Sequence, residues 1–298
     1  MSQPGELDTF FRSLSQKSAQ NQPLVRQTKS FLNSMKLEGY YAVGDEKIVS
    51  VVLFSREKSS IISCLILPEY ENLEIEKMLI RKAVTDLREG GAGKIAGAFL
   101  MSHPPLHIPI REELKVLGFV TAEEAEMAAD DLDVTPQDLP REYSLVPYNS
   151  AYWDDMVKIK YLGNKGETGN PLVKGVTSIK ETEEEARKSL SGVYGAFLPR
   201  ASLMLLHKKD PVGCTTCIRR PDGVGVLTNV TVLPEYRGKG LGKILVAESL
   251  IQLKKLHISR VQLSVVTNNI PAVQIYEGLG FKEIARVCYY RWEAEKTS

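Results

Sequence analysis

The sequence has few of the residues that would indicate a disulfide scaffold or a metal site. Its 298 residues include only four cysteines and four histidines. Scattered cysteines in this number do not staple a fold, so a reduced, cytoplasmic compartment is expected. The Cys214-Thr-Thr-Cys217 pair has no second pair to complete a metal site, and the alternating pattern around it predicts a strand with the two thiols on opposite faces. We therefore expect no metal.

The sequence also lacks a large net charge and long apolar runs. Its formal net charge is +1, which gives no overall field to attract nucleic acid or an anionic membrane. No stretch approaches the roughly 20 apolar residues of a membrane-spanning helix, and the polar N-terminus is unlike a signal peptide. With 43% hydrophobic and 25% charged residues, the chain is typical of soluble globular proteins. We expect a monomer or homodimer with no nucleic-acid or membrane partner.

Two short segments occur twice along the chain. Leu-Pro-Glu-Tyr stands at 67–70 and at 233–236, an offset of 233 − 67 = 166, and Leu-Gly-Phe stands at 117–119 and at 279–281, an offset of 279 − 117 = 162. One short loop insertion would produce the difference between the two offsets. Both halves also predict the same order of elements: three strands joined by turns, a helix, a strand and a last helix. The sequence therefore predicts two tandem copies of one domain.

An acidic segment with two prolines, DDLDVTPQDLPREY, separates the two copies and is typical of a linker. We assign residues 1–132 to the first domain, residues 133–142 to the linker and residues 143–298 to the second domain. The predicted fold class is α/β. Each domain is expected to contain a mixed, mostly antiparallel sheet flanked by helices.

The second copy carries a glycine-rich loop between a predicted strand and a predicted helix. The loop reads VLPEYRGKGLG, from Val232 to Gly242, and Lys243 follows it. A helix N-terminus offers unpaired N–H groups and about half a positive charge, and glycine lets an anion approach the backbone. The loop therefore predicts a phosphate-binding site. Its glycine spacing fits neither a Walker loop nor a dinucleotide fingerprint.

Two motifs of the second copy resemble those of a known family. Arg237-Gly-Lys-Gly-Leu-Gly242 resembles the Arg/Gln-x-x-Gly-x-Gly/Ala loop of the GNAT superfamily, the acyl-CoA-dependent N-acyltransferases. Residues 269–281, NIPAVQIYEGLGF, are similar to the Asn-x-x-Ala…Leu-Tyr-Glu-x-Leu-Gly-Phe segment of the same family. The resemblance covers about residues 190–292, and it extends to residues 40–120 through the weaker internal repeat.

The resemblance implies a binding site for acetyl-CoA. Backbone amides of the glycine loop would bind the pyrophosphate, and main-chain groups of the preceding strand would pair with the pantetheine arm and the acyl carbonyl. Asn269 would hydrogen-bond the pantetheine arm, and Tyr276 would donate a proton to the departing thiolate. The implied acetyl-CoA-binding residues are Val230, Thr231, Val232, Arg237, Gly238, Lys239, Gly240, Leu241, Gly242, Lys243 and Asn269.

The implied reaction is direct attack of a primary amine on acetyl-CoA in a ternary complex, without a covalent enzyme intermediate. Because the attacking amine must be neutral, a base or a water chain must take its proton. Family members that acetylate protein N-termini often place a glutamate twelve residues before the tyrosine, where this chain has Ser264. Candidate bases are Asn229 with a water, or a glutamate of the predicted helix. Those glutamates are Glu181, Glu183, Glu184 and Glu185.

The acceptor is expected to be a small-molecule or peptide amine. Its pocket would be lined by residues 161–175, which include a glycine-rich stretch predicted to be a mobile loop, and by residues 192–200 and 288–292. Two alternatives stay open: an acyltransferase that uses a longer acyl chain or a protein amine, and a CoA-binding sensor without turnover.

The first copy keeps the frame of the glycine loop and loses its chemistry. In the register of the repeat, the motif residues Arg237, Gly238, Gly240, Gly242 and Tyr276 are replaced by Glu71, Asn72, Glu74, Glu76 and Leu114. Each carboxylate would repel a pyrophosphate by about 1 kcal/mol or more, and each side chain would block close approach. Leucine cannot donate a proton. We therefore expect the first copy to be a degenerate, non-catalytic domain.

Overall fold

The computed structural model describes residues 4–17, 22–70, 73–101, 107–164, 172 and 178–294. Its helices are α1 (Pro4–Lys17), α2 (Gln22–Ser34), α3 (Leu73–Glu89), α4 (His107–Val116), α5 (Trp153–Asn164), α6 (Ile179–Leu190), α7 (Leu241–Lys255) and α8 (Ile270–Glu277). Its strands are β1 (Glu38–Gly44), β2 (Lys47–Ser55), β3 (Ser60–Ile66), β4 (Lys94–Met101), β5 (Val120–Ala129), β6 (Tyr143–Pro147), β7 (Ala196–Phe197), β8 (Leu203–His207), β9 (Asp210–Arg219), β10 (Gly225–Val232), β11 (Val261–Val266) and β12 (Lys282–Glu293). Most of the glycine-rich stretch 163–175 lies outside the described residues.

The chain divides into two compact units that are not two consecutive segments. Unit 1 comprises Met1–Glu124 and Ala285–Ser298, and unit 2 comprises Ala125–Ile284. Strand β5 begins in unit 1 and ends in unit 2, while β12 begins in unit 2 and continues in unit 1. The sequence boundaries 1–132 and 143–298 describe the repeat along the chain and stay a prediction. The compact units differ from them because the last strand of each copy crosses from one unit to the other.

Unit 1 contains the antiparallel sheet β1–β2–β3. A two-residue turn at Asp45 and Glu46 joins β1 to β2, and both residues have positive φ, +49° and +59°. Two positive φ values are typical of the type I′ turn, whose twist matches that of the paired strands. Alternate residues of β2 pack on opposite sides, Val51 and Leu53 in the core with α1 and Val52 with α3. Helices thus cover both faces of this sheet, which explains why β2 is apolar along most of its length.

The last strand of the chain is also part of unit 1. Strand β12 pairs antiparallel with β4 from Arg286↔Met101 to Glu293↔Lys94. Cys288 and Tyr290 are buried in the core of this unit, and the Tyr290 hydroxyl donates to the carbonyl oxygen of Ile61 at 2.5 Å. The prediction that residues 288–292 line the acceptor pocket of the second copy is therefore wrong for Cys288 and Tyr290. Their strand packs with the first copy instead.

The repeated Leu-Pro-Glu-Tyr segments have the same backbone structure. Each forms a one-turn 3₁₀ helix, Pro68–Tyr70 in unit 1 and Pro234–Tyr236 in unit 2. In each case the tyrosine N–H donates to the leucine carbonyl at 2.9 Å.

The repeated Leu-Gly-Phe segments also match, since both glycines adopt positive φ after a helix, +81° at Gly118 and +88° at Gly280. The following phenylalanine N–H donates to the carbonyl five residues earlier, that of Leu114 or of Tyr276. The structure confirms the repeat and places Leu114 where the second copy has Tyr276.

Unit 2 contains the sheet order β5–β11–β10–β9–β8–β6, in which β5 contributes its second half. Strands β10 and β11 are parallel, and β10–β9, β9–β8 and β8–β6 are antiparallel. This confirms the predicted α/β class with mixed, mostly antiparallel sheets. Residues 131–140 have no regular secondary structure, but Val134 and Leu139 of the predicted linker are partly buried against cores of unit 2. The predicted linker thus packs against the domain that it precedes.

Helices cover both faces of the sheet in unit 2. Helix α7 packs on the face that buries Cys217, and α5 packs on the face that buries Cys214. The structure confirms that the two thiols point to opposite faces of β9. Burial raises the pKa of each thiol to about 12, so both are neutral and unreactive near pH 7.

Candidate active site

Strands β10 and β11 separate soon after they begin. Among the described residues they pair only at Gly225–Val261 and Val226–Gln262, although β10 continues to Val232. A bulge helps to turn β10 away, because Thr228 is an extra residue between the pairs that β10 forms with β9. Beyond Val226, the edge of β10 that faces away from β9 has no strand partner in the described chain. Apart from the Val232 carbonyl, which accepts a hydrogen bond from Arg237, the outward-facing backbone N–H and C=O groups of this edge are therefore open to a ligand.

A cavity of about 630 Å³ lies at this opening, between β10, the N-terminus of α7 and helix α8. Of the twelve residues predicted from the sequence to form the site, eleven line the cavity, and Lys239 does not. The structure therefore brings Asn269 and Tyr276 to the same space as the glycine loop. Eight further residues line the cavity that were not assigned to the acetyl-CoA site from the sequence: Gly163, Tyr236, Val246, Pro271, Ala272, Gln274, Ile275 and Gly278. Of these, Gly163 was expected in the acceptor pocket.

The glycine loop presents a row of backbone donors to the cavity. Gly238 and Gly240 have φ of +76° and +75°, a left-handed conformation that side chains other than glycine's adopt at a cost of about 1–2 kcal/mol. The N–H groups of Arg237 and Ile244 donate to backbone carbonyls at 3.1 and 3.2 Å. The six N–H groups between them, from Gly238 to Lys243, have no acceptor among the described residues. Such a row at a helix N-terminus is suited to bind a phosphate.

The Arg237 guanidinium hydrogen-bonds two backbone carbonyls of the protein. Its Nε donates to the carbonyl oxygen of Val232 at 3.0 Å, and Nη2 donates to that of Gly163 at 2.6 Å. The guanidinium thus ties the loop to the end of β10 and to α5. Lys239 places its ammonium group 5.3 Å from the centre of the Tyr236 ring. The third cation of this region, Lys243, lines the cavity and lies in the first turn of α7.

Gly163 allows α5 to approach β10. A Cβ atom at this position would overlap the Cγ2 methyl group of Thr231, and it would also lie 3.7 Å from Nη2 of Arg237. Only glycine lets the helix backbone reach this point, where its carbonyl accepts the Arg237 hydrogen bond. A lone glycine near the end of a helix gives no signal of this packing in the sequence.

Tyr276 lies on the α8 side of the cavity. Its side chain is 8% exposed and packs edge-on against the Phe281 ring, with the two centroids 5.9 Å apart. Burial raises the pKa of Tyr276 to about 12, because the surroundings disfavour the phenolate. The hydroxyl therefore keeps its proton at neutral pH and has no hydrogen-bond partner among the described residues. It can act as a proton donor.

Asn269 is the N-cap of α8. Its Oδ1 accepts a hydrogen bond from the Ala272 N–H at 3.4 Å. This bond orients the carboxamide at the rim of the cavity and leaves the Nδ2 donor without a partner among the described residues.

Residues 177–281, which contain both motifs, match the family model described as the Acetyltransferase (GNAT) family. This segment is thus similar to the GNAT acetyltransferases. The chain is 30% identical over 110 residues to N-alpha-acetyltransferase 30 of Saccharomyces cerevisiae, a match that covers 33% of this chain and 62% of that protein. It is 33% identical over 90 residues to the [Ribosomal protein bS18]-alanine N-acetyltransferase of Haemophilus influenzae, with 30% and 60% covered. The chain thus spans less than two thirds of each relative.

The fold similarity extends beyond the GNAT segment. A GCN5-related N-acetyltransferase from Sphaerobacter thermophilus has a TM-score of 0.58 to this chain at 12% identity, and the match covers 97% of this chain and 91% of that one. At this identity the similarity concerns the fold, and it includes both units.

Three of the bases predicted from the sequence, Glu183, Glu185 and Asn229, are held in other interactions. On α6, Glu183 pairs with Arg187 and Glu185 pairs with Lys188, both at 2.6 Å on the exposed surface. Asn229 donates to the Cys214 sulfur at 3.5 Å and accepts from the Thr231 hydroxyl at 3.0 Å. A carboxamide in this arrangement cannot itself take a proton. In the GNAT segment, Ser264 instead donates to a carboxylate oxygen of Glu126 at 2.6 Å.

The corresponding place in the first copy is occupied by a carboxylate. Glu76, the register partner of Gly242, is 2% exposed, and its Oε1 lies 3.8 Å from the Cys64 sulfur. Glu74 pairs with Lys77 at 2.8 Å. Glu71 and Asn72 lie outside the described residues. Leu114 is fully buried and has no acidic proton.

No helix in the described part of the chain combines the length and the apolar character needed to cross a bilayer. No group of three or more His, Cys, Asp or Glu in the same residues could hold a metal ion.

Proposed function

We propose that the protein is an N-acetyltransferase that transfers the acetyl group of acetyl-CoA to a primary amine at the cavity of unit 2. The observation that carries this proposal is the coincidence of three features in that cavity: the row of free N–H groups at the start of α7, the open edge of β10, and Tyr276. The row of N–H groups suits a diphosphate, and the open edge of β10 suits an extended chain with amide groups. Tyr276 suits a leaving thiolate that needs a proton.

The binding site follows from this match. The N–H groups of Gly238 to Lys243 bind the pyrophosphate, and the Lys243 ammonium group adds a charge at the same point. The pantetheine arm lies along the open edge of β10, where its amides pair with the backbone from Val230 to Val232. Asn269 donates to the arm from the opposite side. The thioester then lies in the opening between β10 and β11.

The reaction is direct attack in a ternary complex. The neutral amine attacks the thioester carbon, a C–N bond forms, the C–S bond breaks, and CoA leaves as a thiolate. Tyr276 donates its proton to that sulfur. The buried cysteines have no nucleophilic role, because thiols with a pKa near 12 carry almost no thiolate at neutral pH.

We also propose that the first copy is non-catalytic. Glu76 buries a carboxylate where Gly242 gives the second copy an anion site, and Leu114 replaces the proton donor. One acetyl-CoA molecule per chain is therefore expected.

Titration calorimetry with acetyl-CoA, followed by release of free CoA thiol with a panel of amines, tests the proposal. We expect a stoichiometry near one and thiol release that depends on the amine. Absence of acetyl-CoA binding would refute the assignment. Binding without thiol release for any amine would favour a CoA-binding sensor. Mass spectrometry of the product then distinguishes small-molecule from peptide acceptors.

A further inference from the structure

Strand β5 brings a carboxylate to the diverging part of β11. Ala125, Met127 and Ala129 of β5 are buried in the same core as α7, so Glu126 lies on the opposite face of the sheet. Its Oε1 accepts the hydrogen bond of 2.6 Å from Ser264. Glu126 is half-buried, and both residues stand on strands, so the backbone fixes the pair in place.

Ser264 stands on the part of β11 that no longer pairs with β10 in the described chain. It stands two residues beyond Gln262, the last residue of β11 that pairs with β10 among the described residues. Leu263 and Val265, on either side of it, face the α7 core that also contains Tyr276. Ser264 and its partner Glu126 therefore lie on the other face of the sheet from Tyr276. With the thioester placed as proposed, the proton donor and the carboxylate thus lie on opposite faces of the sheet.

Resting on the proposed function, we infer that Glu126 is the general base that takes the proton of the attacking amine. Attack from the face opposite Tyr276 lets the amine proton pass to the Glu126 carboxylate while the C–N bond forms. The C–S bond then breaks, and the thiolate receives the proton of Tyr276. After product release, Glu126 gives its proton to the solvent and the Tyr276 phenolate takes one from it, so both groups return to their starting states. The hydroxyl of Ser264 orients the carboxylate and is a positioning group.

The assignment gives the degenerate copy a function. Strand β5 follows Leu117-Gly-Phe119 as β12 follows Leu279-Gly-Phe281, so β5 is the last strand of the first copy. Its second half belongs to unit 2. The first copy thus supplies the base that the second copy lacks at position 264.

The test compares Glu126→Gln with Glu124→Gln in the full chain. Glutamine keeps the size of the side chain and still accepts the Ser264 hydrogen bond, so the fold is preserved. Glu124 precedes Glu126 by two residues on the same strand, and its own hydrogen bond, from Tyr289 at 3.3 Å, also survives the change to glutamine. With the amine that the parent uses best, Glu126→Gln should lower kcat by about 10²-fold or more and leave the Kd of acetyl-CoA unchanged. Glu124→Gln should keep the parental kcat.

A relocated carboxylate separates catalysis from structure. Adding Ser264→Glu to Glu126→Gln returns a carboxylate to within a side chain's length of the same point, and we expect at least a tenfold recovery of kcat. If the parental protein is active and Glu126→Gln changes its kcat by less than twofold, Glu126 is not the general base, and the proposed function remains. Equal losses in both glutamine variants, or no recovery with the relocated carboxylate, would also overturn the base. A parent that binds acetyl-CoA without turnover would overturn the proposed function and the base together.

Discussion

The guanidinium of Arg237 donates a hydrogen bond of 2.6 Å to the carbonyl oxygen of Gly163. Together with its bond to Val232, this contact connects the glycine loop to a helix 74 residues earlier in the chain. The arginine of the loop motif thus serves to position the backbone donors. Its planar fork, with fixed donor directions, suits two carbonyls better than a lysine would.

Arg237→Lys separates this tether from a simple charge effect. Lysine keeps the positive charge and cannot reach both carbonyls in the same geometry. We expect the free energy of unfolding to fall by about 1–2 kcal/mol and the affinity for acetyl-CoA to fall about tenfold. Arg219→Lys, at the exposed end of β9, is the control. Unchanged affinity in Arg237→Lys would show that the charge alone matters. Thermal unfolding and calorimetry give the two values.

Gly163→Ala tests the close approach of α5 to β10. The new Cβ overlaps the Thr231 methyl group, and the helix must shift, so we expect a loss of about 1–3 kcal/mol in stability. Thr231→Ser removes that methyl group, so the double variant Gly163→Ala with Thr231→Ser should recover much of the lost stability. Urea denaturation of the two single variants and the double variant forms the cycle. Additive effects would contradict a direct clash.

Gly240→Glu tests the anion site of the glycine loop. The substitution places a carboxylate beside the free N–H groups and forces a side chain into positive φ. Gly223→Glu is a matched control, because Gly223 also has positive φ, +87°, with nothing within 4 Å of a Cβ, and it lies in an exposed turn. Both variants should lose similar stability. Only Gly240→Glu should weaken acetyl-CoA binding by tenfold or more, as measured by calorimetry. Equal affinities for the two variants would refute the phosphate site.

Tyr276→Phe tests the proton donor. We expect kcat to fall about 10- to 100-fold with an unchanged Kd for acetyl-CoA, because the ring and its packing remain. Tyr148→Phe is the control: Tyr148 is also 8% exposed and packs edge-on against a phenylalanine, at 5.6 Å. Parallel losses of turnover and affinity in Tyr276→Phe would contradict the role.

The raised pKa of Tyr276 also predicts a pH dependence of stability. The folded pKa, about 12, exceeds the ordinary value of 10.0, so between these values the folded state binds more protons than the unfolded state. The free energy of unfolding therefore falls as pH rises from about 10 to 12. In chemical denaturation, the free energy of unfolding of Tyr276→Phe should fall less over this pH range than that of the parental protein.

Local patterns in the sequence predicted most of the candidate site. The glycines at 238 and 240 mark positive φ, the apolar run before them is β10, and the residues after them form α7, because these features depend on neighbours in the chain. The repeated Leu-Gly-Phe placed Tyr276 and Leu114 in equivalent positions for the same reason. Local sequence also placed Cys214 and Cys217 on opposite faces of one strand.

Pairings between distant segments could be seen only in three dimensions. The alternation in β5 shows that Glu126 and its core-facing neighbours point to opposite faces, but it does not name the strand beside it. The motif placed Arg237 among the acetyl-CoA-binding residues and gave no signal of its hydrogen bonds to Val232 and Gly163. Residues 288–292 were placed in the wrong copy because a strand's partner is chosen by packing across the whole chain.

The sequence by itself determined the repeat, the GNAT motifs and the loss of both motifs from the first copy, since each is written in residues that are near one another. Only the tertiary structure showed which unit the last strand of each copy enters. Burial of the apolar face of β5 in the core of unit 2 set Glu126 beside Ser264, 138 residues away in the chain. No local preference encodes such a contact, because it depends on which strand lies beside β5 in the folded sheet.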